Sequence, residues 1–472
     1  NPPNFEQDIS NMNSIFPQLC FLLLLSASLG ALSTSQQQDT FANDATAPLE
    51  DAASAATQGS TYVGYFENTS SSNFSHFSIG SDNKVFTTLS KNDKAAFGTI
   101  DLTTPTYSGY SLKSGNEVLS LDVISSPNTN GLMIIASAYG FLSVIDNTLD
   151  FKVVKMLALS ESFLPPSYLN IASFITWLPQ DQIFFSNGKL AAILKFEDTS
   201  KLTLANQFTL EFGGNTFLPV KIMVGTKTLI LGFNGEFGTV HLVDFQTGTT
   251  PSGSMYSLGV KITPKNSSVS YIWDSPFLAS LSDDTQVLVG TVKPETTGGS
   301  FLVIAPLTFG ANSLQLDYTI YDGFSDEVSF SQSCGDGLLV VASQFLLMFD
   351  KSLTPTWRKQ IYSQWSNFHA TAAHCDTTNQ TIVLLGFTST STTANQAILR
   401  LTLTDGALTS QSPTNYITIR PATNLTQLAT ATQTLSATHS TTTLVTGGLV
   451  LSDGTVPVKT VVNDFGYSAL SV

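Results

Sequence analysis

Positive charge is scarce in this chain of 472 residues: 20 Lys and Arg stand against 35 Asp and Glu, for a formal net charge of −15. Arginine occurs three times, at Arg358, Arg400 and Arg420. Nucleic acid is excluded as a partner, because neutralising phosphates needs a basic stripe. Charged residues of both signs make up only 12% of the chain. That is too few for a coiled coil or helical bundle, which run on Ala, Glu, Lys, Leu and Arg. Cysteine is as rare, with Cys20, Cys334 and Cys375 alone. The protein is therefore no disulfide scaffold, and its stability has to come from a packed core. What the chain does have is 57 Ser and 59 Thr, together with 42% hydrophobic and 10% aromatic residues. The apolar fraction excludes disorder throughout.

The long apolar run lies at 19–29, LCFLLLLSASL. Its length falls short of the ~20 helical residues that cross a bilayer, so no stable membrane span is expected. Small residues follow it, as in a secretory leader. Residues 1–11 carry Glu6 and Asp8 and no base, whereas Met12 opens MNSIFPQLCFLLLL with a better start. Residues 1–33 are therefore read as upstream residues plus a signal peptide starting at Met12, and the protein as secreted. Residues 34–59 are polar, small and low in complexity, and read as a flexible extension. Five N-x-S/T tripeptides, at Asn68, Asn73, Asn266, Asn379 and Asn424, become candidate glycan sites in a secreted chain. Thr-rich stretches such as 430–443 are candidates for O-glycans.

From residue 60 onward, short apolar and β-branched runs alternate with turn residues, an all-β pattern. One strand type recurs, with first apolar residues Val85, Leu132, Ile183, Leu229, Val287, Leu338, Ile382 and Leu444. A second strand follows each and often closes on an acid, as at Asp101, Asp146, Asp198, Asp244, Asp350, Asp405 and Asp464. These acids read as turn-forming carboxylates that accept backbone N–H bonds, rather than as a catalytic set. A more polar third strand and a strand before each anchor complete four strands in roughly 50 residues, the size of a propeller blade. Such a sheet has two apolar faces and must bury both against neighbours. Residues 60–472 are expected to form one β-propeller, with eight four-stranded blades from the eight anchors and seven as the alternative. A lone strand at 61–66, TYVGYF, is placed to complete the last blade and close the ring.

The stretches QFLLMFDKSLTPTWRKQIY (344–362) and GFLSVIDNTLDFKVVKML (140–157) join an apolar strand, an Asp turn and a second strand. In this the chain resembles the secreted β-propeller repeats of the SBBP and quinoprotein-like kind. The resemblance implies the fold. Quinoprotein enzymes imply a redox cofactor as well, but Trp177, Trp273, Trp357 and Trp365 do not recur in register as such a site would need. No cofactor is expected, and fold likeness alone transfers no chemistry.

No nucleophile elbow, P-loop or zinc motif appears, and no catalytic or metal-binding residue is assigned. His369 and His374, five apart on a predicted strand, are expected to face opposite sides of it. His241 reads as a packed strand residue. Asp322, Asp326 and Glu327 read as solvated acids with a weak claim on Ca²⁺, and Asp283–Asp284 as a turn. Cys334 and Cys375 fall at equivalent positions of successive units, at the end of the innermost strand, so a disulfide joining two blades is expected. The function expected is a secreted, glycosylated structural or interaction module without catalysis, which self-assembles into an oligomer or filament or binds other extracellular proteins or glycans. The alternative is a carbohydrate- or ligand-binding propeller, lectin or hydrolase, with its site at the channel mouth.

Overall fold

In the computed structural model, residues 63–470 are described except for short segments between strands, and most side chains are described from Leu142 onward. Strand β1 (Val63–Asn68) precedes seven runs of antiparallel strands. The first run is β2 (Phe74–Ile79), β3 (Lys84–Lys91), β4 (Lys94–Asp101) and β5 (Tyr107–Leu112). The second is β6 (Leu121–Ser125), β7 (Met133–Ser137), β8 (Phe141–Ile145) and β9 (Phe151–Leu159). The third is β10 (Phe174–Leu178), β11 (Gln182–Ser186), β12 (Leu190–Glu197) and β13 (Lys201–Thr209). The fourth starts with the short β14 (Glu211–Phe212) and continues with β15 (Asn215–Val224), β16 (Thr228–Asn234), β17 (Thr239–Gln246) and β18 (Ser252–Ser257). The fifth is β19 (Tyr271–Ser280), β20 (Gln286–Pro294), β21 (Phe301–Phe309) and β22 (Ser313–Asp322). The sixth is β23 (Phe330–Cys334), β24 (Gly337–Ala342), β25 (Phe345–Phe349) and β26 (Pro355–Ser363). The seventh has β27 (Phe368–Asp376), β28 (Thr381–Ser389) and β29 (Ala394–Thr402), and takes β1 as its fourth strand, with Gly64 opposite Ile398 and Asn68 opposite Ala394.

The leading strands of the runs lie side by side in the order β2, β6, β10, β15, β19, β23, β27, and β27 returns to β2. The sheets thus close into a ring, and the fold is a β-propeller. The N-terminal strand closes it, as the TYVGYF segment predicts. The described strands form seven sheets rather than eight. Six of the eight anchors lie in the second strand of a sheet, and Leu132 stands immediately before β7. The eighth, Leu444, starts no blade. It forms an isolated bridge to Phe208 of the third sheet.

Hydrophobic side chains sit between the sheets and alternate with period two. Along β24, Leu338, Val340 and Ala342 pack toward the fifth blade, and Leu339 and Val341 toward the seventh. Along β11 and β12, Ile183, Phe185, Ala192 and Leu194 face the second blade, while Phe184, Ala191 and Ile193 face the fourth. Both faces are buried, so the inner strands read as continuous apolar runs. Gly386 on β28 leaves room for the fully buried Phe368: a Cβ there would lie 2.1 Å from the ring.

The chain beyond Ile417 does something different. It runs back around the ring, against the order of the blades, and gives the outermost strand of six of the seven sheets an antiparallel neighbour. β30 (Ile417–Pro421) pairs with β26, β31 (Thr426–Ser436) with β22, and β32 (Thr438–Thr441) with β18. Leu444 then touches the third sheet. β33 (Leu449–Asp453) pairs with β9, β34 (Lys459–Val462) with β5, and β35 (Tyr467–Leu470) with β1. We call this segment the belt. Strand β1 ends up between β29 and β35, so both ends of the folded chain meet in the seventh sheet.

Candidate functional site: the belt and the outer rim

The belt is held by main-chain pairing and by a few specific side chains where it crosses between blades. Arg358 of β26 is the latch between the sixth and fifth blades. Its Nη1 donates to the Thr423 carbonyl at 2.9 Å, and its guanidinium lies 4.5 Å from the centre of the Phe345 ring. Asp326 belongs to the same junction: burial raises its carboxyl pKa, and the charge of Arg358 opposes the rise. At the next crossing His439 spans two blades, with Nδ1 2.8 Å from Ser254 Oγ and Nε2 3.0 Å from Asn312 Oδ1. Buried Thr442 donates its hydroxyl to the Pro251 carbonyl. Gln207 then holds the belt twice, accepting from the amide of Val445 through its carbonyl and from that of Leu449 through Oε1. Lys155 pairs with Asp453 on the second blade.

The belt strands differ in composition. β30 carries Arg420 and Pro421, β33 carries Asp453 and β34 includes Lys459. β32 and β35 are four residues long. β31, TQLATATQTLS, has eleven residues, none of them charged, Pro or Gly. One face buries Ala431 and Leu435 in the core between the fourth and fifth blades. Thr430, Thr432 and Thr434 lie exposed on the other, and Leu428 is 46% exposed. β31 is the last strand of its sheet, so the backbone edge opposite β22 has no strand beside it among the described residues. Natural sheets blunt such edges with charge, proline or brevity, and β31 has none of these.

The residues singled out in the sequence are distributed as follows. Cys334 and Cys375 lie on the leading strands β23 and β27 of adjacent blades, at disulfide distance, with Cα atoms 5.2 Å apart. Asn379 lies exposed in the turn from β27 to β28, where its side chain donates to Asp376 Oδ2 at 2.6 Å. Asn68 ends β1. Asn73, Asn266 and Asn424 lie outside the described residues, as do Asp146, Asp198 and Asp464.

Several acids act on their own turns. Asp350 accepts from the amides of Ser352 and Thr354, Asp405 from Ala407 and Asp283 from Thr285. Hydrogen bonds from Thr402 lead in holding the Asp405 carboxyl below the ordinary range. Asp244 departs from the turn reading: it sits within β17 and pairs with Lys227. The DGFSDE acids do not act together. Asp322 accepts from the Gly323 amide, Asp326 faces Arg358, and Glu327 is exposed.

The expected orientation of His369 and His374 needs correction. A bulge in β27 falls between Ala370 and Ala372, so His369 stands opposite Phe387 and His374 opposite Val383, four residues apart on β28. The inserted residue reverses the alternation and puts both imidazoles on one face of the sheet. Burial lowers the pKa of both, and Asp376 works against it at His374. His241 is 8% exposed on β17 and is also lowered by burial. Among the described residues no three His, Cys, Asp or Glu side chains gather as a metal-binding set. Nor is any helix there long and apolar enough to cross a membrane. Of the leading strands, β15 carries Lys221, solvent-exposed by area but enclosed by neighbouring atoms. That desolvation lowers its ammonium pKa.

No protein-family model matches this chain, and no curated protein matches its sequence. Among solved structures it is similar to the dihydro-heme d1 dehydrogenase NirN in complex with DHE, at 10% identity over 82% of this chain and 77% of that one, with a TM-score of 0.43. It is similar to the Dos1 propeller at 10% identity over 74% and 96%, with a TM-score of 0.42. BamB from Moraxella catarrhalis follows at 12% identity over 70% and 99%, with a TM-score of 0.34.

Proposed function

We propose that this protein is a secreted, glycosylated propeller that acts without catalysis, as a structural and protein-interaction module working through its outer rim, and that it self-assembles. The observation that carries this reading is the edge of β31: eleven uncharged residues paired on one side only among the described residues, on a rim whose other belt strands are short or carry charge or proline. An open strand edge recruits another strand through main-chain hydrogen bonds. The leader-like segment at 12–33 and the five glycan tripeptides support an extracellular setting.

Sedimentation velocity of the secreted full-length protein tests the reading. Assemblies larger than a monomer are expected, and the double variant Leu428→Lys, Thr434→Lys should dissolve them with an unchanged Tm, since both side chains are exposed. A monomer at every concentration, together with no bound protein partner, contradicts it.

A second reading is a propeller that binds a glycan or other ligand within the ring of leading strands. Lys221, exposed on the leading strand β15, favours it as a hydrogen-bond donor for a polyhydroxylated ligand. Retention of the wild type on an immobilised sugar, lost in Lys221→Ala, would favour this second reading.

A further inference from the structure

We infer that the strand received by the β31 edge is residues 52–62 of a second copy of this chain, an inference that rests on the rim-mediated self-assembly proposed above. The chain's net charge of −15 sets the first condition, because acidic surfaces of two copies repel one another. The donor therefore has to be an uncharged segment. Residues 52–62, AASAATQGSTY, are eleven consecutive residues without charge or proline, bounded by Asp51 and by β1. Their length matches the eleven residues of β31. Their mostly small side chains suit a strand laid beside the exposed threonines of β31.

Connectivity decides between the same ring and another. Tyr62 is bonded to Val63, the first residue of β1, and β1 lies in the seventh sheet. The acceptor edge lies on the fifth sheet, with the whole sixth blade between them. A segment continuous with β1 has no linker residues with which to pass the sixth blade and still lie along β31. The same pairing in trans needs only that the seventh-blade rim of one copy meet the fifth-blade rim of the next. Donor and acceptor are then different surfaces, so the contact is head-to-tail. Repetition gives an open filament or a closed ring according to the angle between copies.

Disulfide trapping in the full-length protein tests this. One chain carries Thr430→Cys, at an exposed position opposite Thr319. The other carries Ala53→Cys, Ala55→Cys or Thr57→Cys, one at a time. A single chain with Thr319→Cys and Thr430→Cys checks, by closing within itself, that position 430 is placed as described. Under mild oxidation the mixture should shift from monomer to disulfide-linked heterodimer for at least one arm position, and neither chain alone should do so. Independently, Ala55→Asp should abolish assembly with the Tm unchanged, because it charges the arm and leaves the ring intact. Assemblies that persist in Ala55→Asp and trap no arm position overturn the inference while leaving rim-mediated assembly standing. A wild type that neither assembles nor traps overturns both.

Discussion

Strand β24 and strand β31 are both antiparallel and both regular, yet every residue of β24 is buried while β31 buries only Ala431 and Leu435 among its eleven. The first lies between two blades, so both of its faces exclude water. The second lies outside its blade, with one face partly on the core and the other in solvent. The same hydrogen-bond geometry is thus stabilised in two ways. In the blades, apolar area on both faces drives the packing, at roughly 25 cal/mol per Å². In the belt, main-chain bonds and a handful of anchors hold a Thr- and Gln-rich strand, each bond contributing only about 1 kcal/mol net. Each blade is a complete four-stranded sheet without its belt strand, and the belt completes no core by itself.

Substitutions can break or sharpen this contrast. The largest effect is expected inside a blade. Phe184 is fully buried toward the fourth blade, and Phe184→Ala should cost about 3–5 kcal/mol in chemical denaturation. Next comes the Cys334–Cys375 link between the sixth and seventh blades. With its ends 41 positions apart in the sequence, Cys334→Ser should cost about 2–4 kcal/mol, read as a lower midpoint under non-reducing conditions. An anchor of the belt should matter less. Thr442→Val removes the hydroxyl donor to the Pro251 carbonyl and should cost about 0.5–1.5 kcal/mol. Thr434→Ala, at an exposed belt position, should stay within about 0.5 kcal/mol of wild type. A belt substitution such as Thr434→Ala costing as much as Phe184→Ala would break the distinction.

Acidification probes the blades through His369 and His374. Burial leads in holding both below 6.5, so the unfolded chain binds protons more readily than the folded one. Stability should therefore be fully present above pH 6.5. It should fall as the pH drops from there through the lower folded pKa values, then level off. The slope of Tm against pH in this window should flatten in His369→Gln, His374→Gln. An unchanged slope would place the titration elsewhere.

The contrast also explains what the sequence reveals. Doubly buried strands leave continuous apolar runs, which is why seven anchors mark seven sheets and why the equivalent placement of Cys334 and Cys375 is visible. The belt leaves no such trace. The Thr-Ala-Thr-Gln-Thr alternation of β31 looks like a glycan-bearing stretch, because a strand held by its backbone makes few demands on its side chains. Leu444 imitates an eighth anchor because it is apolar and follows a polar run, although it only touches the third sheet. The shared face of His369 and His374 is hidden as well, since a bulge is set by pairing with β28 and not by the local sequence. The rim therefore had to be found in the structure.

Hydrogen–deuterium exchange of the full-length protein, followed by mass spectrometry, tests most directly whether the four-stranded ring stands without its outer strands. The account predicts two classes of protection. Amides of β12, β20 and β24 should exchange only through global unfolding, and those of β30 to β35 much faster, through local release of the belt. Belt amides as slow as those of β24 would contradict it, because the outer strands would then belong to the same cooperative unit as the blades.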